Sequence, residues 1–383
     1  MPSPVVNQDR ERLSIIHTLA PGIAGGLESV VSMLAVGQQR RGDTIRVLSV
    51  LEQGQLEPTL HAQLFKAGVE VIPVSLPPRS YLKEIANYRN VFDRYAPDIV
   101  HMHGYRPDLL AAPVARRRKA AVVTTVHGFT GGDWKNRLYE RLQLRSFRKL
   151  DAVVAVSQPL SLRLAAGGVP SEKLVVIPNA FDATSLHLSA SEARRVLGIA
   201  ADEIVLGWVG RLSREKGLDV LLNALALLPS SAMLSVIGDG QEHAALVHQV
   251  SQLGLGGRVR FHGMIPDAGR LYPAFDIFVL SSRTEGTPIS LLEAMSADIP
   301  IVATRVGGVP DVVSEREACL VEPESPAELA VAIEATLTDR PGRFARAAQA
   351  RVRLETAYAL EPWLERYAQL YRNLTSSRRA ENR

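Results

Sequence analysis

Thirteen short runs of apolar, β-branched residues, each bounded by turn residues and followed by a helix-length segment, constrain the fold of this chain more than any other feature. Seven lie at Leu13–Thr18, Thr44–Leu51, Val69–Val74, Ile99–His103, Ala121–His127, Ala152–Ser157 and Leu174–Pro178. Six follow at Ile204–Gly210, Ala232–Gly238, Val259–His262, Ile277–Leu280, Ile299–Thr304 and Ala318–Val321. Runs that are apolar throughout, rather than alternating, belong to strands covered on both faces of a parallel sheet. The expected fold class is therefore α/β, with two doubly wound, Rossmann-like domains in succession facing a central cleft.

The 383 residues exceed the roughly 250–300 at which a single core stops growing, which agrees with two domains. The expected division is 1–186 for the first, 187–360 for the second, and 361–383 for a C-terminal helix and tail with the first domain as its packing partner. Past Pro326 the pattern is helical, and Trp363, Leu364, Tyr367, Leu370 and Tyr371 form one apolar stripe at helical spacing, read as core.

Hydrophobic residues at 46% and charged residues at 22% suit an ordinary globular protein. The single cysteine, Cys319, excludes an intrachain disulfide and a cysteine-cluster metal site and fits a reducing compartment. No run of about 18 apolar residues is present, and the polar start Met1–Arg12 leads straight into a strand, so the expectation is a cytoplasmic protein without a bilayer-spanning helix. The net charge of +4 divides unevenly, with +7 on residues 1–190 and −3 on residues 191–383. Much of the excess lies in Arg116, Arg117, Arg118 and Lys119, and between Trp134 and Leu150. Such a patch attracts an anionic membrane surface, which implies peripheral attachment at the inner face of the membrane; the alternative is a solvated helix face. No nucleic-acid-reading module accompanies it.

Ligands of doubly wound domains bind beyond the carboxyl ends of the strands. Glu285 and Glu293 stand there, eight positions apart, the second among Leu291, Leu292, Ala294 and Met295, where a carboxylate needs a polar partner. Thr287 suits a helix cap and Pro288 the first helical position, so the amides of Ile289, Ser290 and Leu291 would open an anion site between two carboxylates. The alternative is that Glu293 meets a core arginine and Glu285 favours the positive helix end. Upstream, Arg211 and Lys216 put two cations on one short loop, as a diphosphate requires, or else make a charged surface turn. Asp239 and Gly240 follow another strand and read as a turn adjoining a nucleotide. In the first domain, Gly25 and Gly26 precede Glu28 in a loop whose backbone could approach a phosphate or sugar. The loop lacks the three-glycine dinucleotide fingerprint, which demotes a nicotinamide dehydrogenase. His127 closes a strand, and His101 and His103 end the preceding one as lining of the ligand-binding edge; a third metal ligand with suitable spacing is missing.

In order along the chain, Gly25-Gly26-Leu27-Glu28, His127, Pro178-Asn179, Gly210-Arg211, Glu215-Lys216-Gly217, Gly238-Asp239-Gly240 and Glu285 to Glu293 resemble the motif series of glycosyltransferase family 4. The resemblance spans nearly the whole chain. It implies the GT-B fold of glycogen synthase and sucrose synthase, and retaining transfer of a hexose or N-acetylhexosamine from an NDP-sugar to a glycan or lipid-linked acceptor in cell-surface polysaccharide or glycoconjugate synthesis. No cofactor and no metal are implied; the nucleotide sugar is a co-substrate, with a UDP-sugar the first expectation. Arg211 and Lys216 would neutralise the diphosphate, helped by backbone at Thr287, Ser290 and Leu291. Glu293 would hold the ribose, Glu285 the donor sugar and His127 the sugar near its reacting face. Gly25, Gly26, Asp239 and Gly240 would complete the donor site, with His103 and Glu28 on the acceptor side. Thr287-Pro288 departs from the common Phe-Gly, and Ala180 from the common glycine. A GT-B sugar-nucleotide epimerase and a non-catalytic nucleotide-sugar-binding subunit are the alternatives, and turnover without acceptor separates the first of them from a transferase.

Overall fold

A computed structural model describes residues 12–23, 25–129, 134–182, 187–229 and 231–381. Ala24 of the glycine loop, the expected boundary at 186, and most of the polar start from Met1 lie outside the described residues, as do the side chains of Lys135 and Arg137. The chain forms two compact units, one of Met1–Ile177 with Glu361–Arg383, the other of Pro178–Leu360.

The first unit is built on seven parallel strands, β1 (Ser14–Leu19), β2 (Thr44–Glu52), β3 (Glu70–Leu76), β4 (Ile99–His103), β5 (Ala121–Val126), β6 (Ala152–Ala155) and β7 (Leu174–Val176), in the order β3-β2-β1-β4-β5-β6-β7. The second holds six, β8 (Ile204–Val209), β9 (Ala232–Ile237), β10 (Val259–Phe261), β11 (Ile277–Leu280), β12 (Ile301–Thr304) and β13 (Cys319–Val321), in the order β10-β9-β8-β11-β12-β13. All pairings are parallel, and each sheet reverses direction between its first and fourth strands, as in doubly wound dinucleotide-binding folds. Each strand limit falls within two residues of its apolar run.

Continuous apolar strands are what this topology demands, because helices cover both faces. Residues of β4, β5, β6 and β11 are buried from end to end. One core gathers Val100, Val122, Val153 and Phe147, and another gathers Leu206, Leu234, Val279 and Ile333. Along the helix Leu360–Glu381, Trp363, Leu364, Tyr367 and Tyr371 are buried as the spacing requires, whereas Leu370, expected in the same stripe, is half-buried. Leu364 occupies the space beside Gly37, where a Cβ would stand 2.5 Å from its methyl carbon. Among the described residues no helix is long and apolar enough to cross a membrane.

Candidate active site

In the second unit, β9, β8, β11 and β12 are neighbours, so the loops leaving their carboxyl ends are adjacent. The loop after β8 is held between two others by backbone contact. A Cβ on Gly238, at φ +143°, would lie 1.8 Å from the carbonyl oxygen of Gly210, and one on Gly217, at φ +64°, 2.0 Å from that of Ser281. Only glycine meets both the conformation and the approach. Leu212 N–H donates to Asp239 O at 2.9 Å and Arg283 N–H to Glu215 O at 2.8 Å. Arg283, whose role was not apparent from the sequence, grips Asp219 through two 2.7 Å bonds and donates a third to Arg214 O at 2.7 Å.

This scaffold brings Lys216 to Glu285. The Lys216 ammonium donates to Glu285 Oε1 at 2.7 Å, and the Ser282 hydroxyl donates to the same oxygen at 2.6 Å. The Glu285 side chain is 6% exposed and that of Lys216 23%. Desolvation strengthens such a pair, and it also makes removal of either partner costly. The Glu285 backbone is fixed as well, its carbonyl accepting from Gly308 N–H at 3.1 Å. Arg211 is exposed, and among the described residues no carboxylate pairs with its guanidinium. Asp239 is exposed too; its Oδ1 accepts from Gly240 N–H at 2.7 Å, the turn half of its expected role.

Glu293 meets a phenol and, among the described residues, no core arginine. Tyr272, on the seven-residue 3₁₀ segment Ala268–Ala274, donates its hydroxyl to Glu293 Oε2 at 2.8 Å. Burial raises the Glu293 carboxyl to about 7, against the opposing pull of the Tyr272 hydrogen bond. The helix carrying it, Ile289–Ser296, starts one residue later than expected. Pro288 is the cap residue, its carbonyl accepting from Leu291 and Leu292 N–H at 3.2 and 3.3 Å, and no side chain caps the helix. Leu291 N–H is thereby engaged, and the amides of Ile289 and Ser290 precede the first intrahelical bond. Thr287 is buried, and its carbonyl accepts from the Asn179 side chain at 3.0 Å.

In the first unit, Glu28 is only 9% exposed; its Oε1 accepts from Gly22 N–H at 2.7 Å, and Oε2 lies where a Cβ on Gly25 would come within 2.8 Å. The helix Gly26–Arg40 begins at this loop. Parallel register sets His17 of β1 beside His101 of β4, and His103 beside Thr125 of β5. Alternate residues share a face of a sheet, so His103, and His127 one residue past β5, continue the same row. His101 and His103 do not line the edge as expected. They are 0% and 1% exposed: the helix Leu360–Glu381 covers His101, whose Nδ1 lies 2.6 Å from Tyr371 OH, and sets Tyr367 OH 3.1 Å from Thr125 Oγ1, while His103 packs among His17, His101 and His127.

The third imidazole that sequence spacing lacked is His17, and the three rings offer nitrogens within 4.8 Å of one another. All six nitrogens already have hydrogen-bond partners within the chain, so the cluster is satisfied without an ion. Burial lowers His17 and His127 to about 4 and His101 and His103 well below the ordinary imidazole value. His127 alone of the row reaches a cavity, about 240 Å³ in volume, together with Thr125, Leu27, Tyr105, Phe129 and Tyr139.

The model of the family described as Glycosyltransferase Family 4 matches residues 24–185, and that of Glycosyl transferases group 1 matches residues 189–353. An uncharacterised glycosyltransferase of Methanocaldococcus jannaschii is 26% identical over 344 residues, which cover 83% of this chain and 87% of the relative. The lipopolysaccharide core biosynthesis mannosyltransferase LpsB of Rhizobium meliloti is 30% identical over 59% of this chain and 67% of its own length. Among solved structures, Anabaena HepE in complex with UDP-glucose superposes with a TM-score of 0.85 at 23% identity, covering 94% of this chain and 100% of that one. Two parallel Rossmann-like sheets, each in a half of the chain that a glycosyltransferase family model matches, together with the likeness to LpsB, make the chain an enzyme of the family 4 type, a glycosyltransferase of GT-B fold.

Proposed function

We propose that the enzyme is a retaining transferase that moves a hexose or N-acetylhexosamine from an NDP-sugar, with a UDP-sugar as the first candidate, to a glycan or lipid-linked acceptor in cell-surface polysaccharide or glycoconjugate synthesis. The observation that carries the reading is the Lys216–Glu285 pair beside the open amides of Ile289 and Ser290. The ammonium and the helix start supply positive potential for a departing diphosphate, with the unpaired guanidinium of Arg211 as a second cation. Such a set suits leaving-group stabilisation by the chain's own charges, without a metal. Glu285 keeps lone pairs for donor-sugar hydroxyls. Glu293, with one oxygen on Tyr272 and burial favouring its neutral form, is suited to hydroxyl donors such as those of ribose. Asp239 and Gly240 shape the loop next to Arg211, and His127 is the first unit's sugar-contacting group.

A relative named for lipopolysaccharide core biosynthesis and a neighbour solved with UDP-glucose support the acceptor and donor classes. A membrane-facing role is supported by exposed Leu138, Tyr139 and Leu142 on the helix Trp134–Phe147, and by exposed Arg116, Arg117 and Lys119; Arg118 is instead paired with Asp93 at 2.5 Å. A thermal-shift panel of UDP-, GDP- and ADP-sugars tests the donor, since a ligand of the native state raises the melting point by mass action. One nucleotide series should stabilise the protein, and the anomeric configuration of the product then tests retention. A panel in which no nucleotide sugar raises the melting point would overturn the reading.

A further inference from the structure

Four imidazoles, one amide and two phenols buried on one sheet face are costly to assemble, and packing alone would be served by apolar rings. Their hydrogen bonds run in a single file from an interior amide to His127. Gln38, on the helix Gly26–Arg40, places its Oε1 2.8 Å from His17 Nε2. His17 Nδ1 is 3.1 Å from His103 Nε2, and His103 Nδ1 is 3.4 Å from His127 Nε2, the longest link. Gln38 and the rings of His17 and His103 are no more than 2% exposed, so water does not compete for these bonds.

A neutral imidazole has one protonated and one bare nitrogen, and which is which follows from the hydrogen bond that the other makes. An amide oxygen only accepts. With the Gln38 amide oxygen facing the ring, His17 carries its proton on Nε2 and leaves Nδ1 bare. That bare nitrogen accepts from His103 Nε2–H, which leaves His103 Nδ1 bare to accept from His127 Nε2–H. The burial that holds all four rings neutral at physiological pH preserves the one-donor, one-acceptor rule along the row. His101 stands outside the file: its nitrogens face Tyr371 OH and Thr125 Oγ1. It packs against His103 with ring centroids 4.2 Å apart and fixes the spacing.

We propose that Gln38 and His17 are positioning residues which, through His103, hold His127 as its Nε2–H tautomer, so that its bare Nδ1 accepts a hydrogen bond from a substrate hydroxyl. The proposal rests on the reading of His127 as a sugar-contacting group. A ring in the opposite tautomer would present N–H, and would favour a carbonyl or phosphate oxygen over a hydroxyl donor. Selection of the tautomer is thus selection of ligand chemistry, set by a side chain three hydrogen bonds away.

The test is a long-range proton–nitrogen correlation spectrum of the full-length protein labelled with nitrogen-15 in its histidines, which separates bare from protonated ring nitrogens. His127→Gln identifies the His127 signals by their loss. The expected result is His17, His103 and His127 all as Nε2–H tautomers in the unaltered protein. In Gln38→Leu and His17→Phe, His127 should pass to a mixture of tautomers, with kcat lower by about three- to tenfold, the worth of one neutral hydrogen bond, and KM changed less. His127 found as Nδ1–H in the unaltered protein would overturn the proposal, whether or not either variant folds. An unchanged His127 signal in both folded variants would do the same. If the tautomers are as expected but His127→Gln transfers sugar at the full rate, the relay stands and the sugar-contact reading fails.

Discussion

Tyr272 donates a 2.8 Å hydrogen bond to Glu293, and the two effects are opposite: the carboxylate adds to burial in raising the phenol's proton affinity, while the phenol's donation lowers the carboxyl's against the larger upward effect of burial. The pair dictates how stability depends on pH. With its pKa raised from an ordinary 4.5 to about 7, Glu293 binds more protons in the folded than in the unfolded state between those values. Its contribution to stability is full below the unfolded value and falls as pH rises through the folded one.

Chemical denaturation of the unaltered protein and of Glu293→Gln from pH 4.5 to 7.5 should therefore diverge, the unaltered protein losing stability relative to the variant as pH rises. The limit set by the shift is about 3 kcal/mol, reduced by the partial exposure of the residue to about 1–2 kcal/mol. Asp108, raised to about 7 by burial, contributes a slope of the same sign in both proteins, so the difference isolates Glu293. Parallel curves would refute the assignment.

Lys216→Ala should reduce sugar transfer by at least about a hundredfold, the usual cost of losing a preorganised charge stabiliser. Lys216→Arg should restore little, because a planar fork does not reproduce a point charge. Folding should survive at a cost of about 1–2 kcal/mol, because Glu285 keeps the Ser282 hydroxyl as a donor. Steady-state kinetics beside a thermal melt separates the two effects, and undiminished turnover would remove Lys216 from the machinery.

Gly238→Ala should be far more damaging than its one methyl suggests. The added carbon would stand 1.8 Å from Gly210 O on a backbone at φ +143°, and neither the carbonyl nor the strand end can yield cheaply. A loss of more than about 3 kcal/mol in denaturant unfolding is expected. Gly256→Ala, with nothing within 4 Å of the new methyl, serves as the control.

Arg116→Glu combined with Arg117→Glu should weaken sedimentation with vesicles containing about 30% anionic lipid by at least about thirtyfold at low salt, at about 1 kcal/mol per basic residue lost from such a surface. Binding to neutral vesicles should not change. Equal sedimentation of both proteins with anionic vesicles would show that these exposed cations face solvent alone.

Strands and their order of appearance were readable because burial on both faces writes itself into every residue of a short run. The carboxylates and Lys216 were readable for a local reason: each sits within a few residues of a strand end or helix start. Partners brought in by tertiary register were hidden. His17 and His103 are 86 positions apart and meet only because β1 pairs with β4, and Asn179 reaches Thr287 across 108 positions. Tyr272 lies 21 positions from Glu293 on a short 3₁₀ segment whose periodicity is too brief to register. The start of the helix Ile289–Ser296 was misread by one residue because a proline carbonyl can close the first turn as well as a threonine side chain can cap it.

The return of the last helix to the first unit has a consequence for synthesis. Tyr367 and Tyr371, which roof the histidine row, leave the ribosome after all six strands of the second sheet, β8 to β13. The nascent protein can thus complete its second unit while the first still waits for the helix that covers its histidines. Premature termination near residue 360 would leave a polar cavity open at the heart of the earlier half, and quality-control proteases would meet that half first.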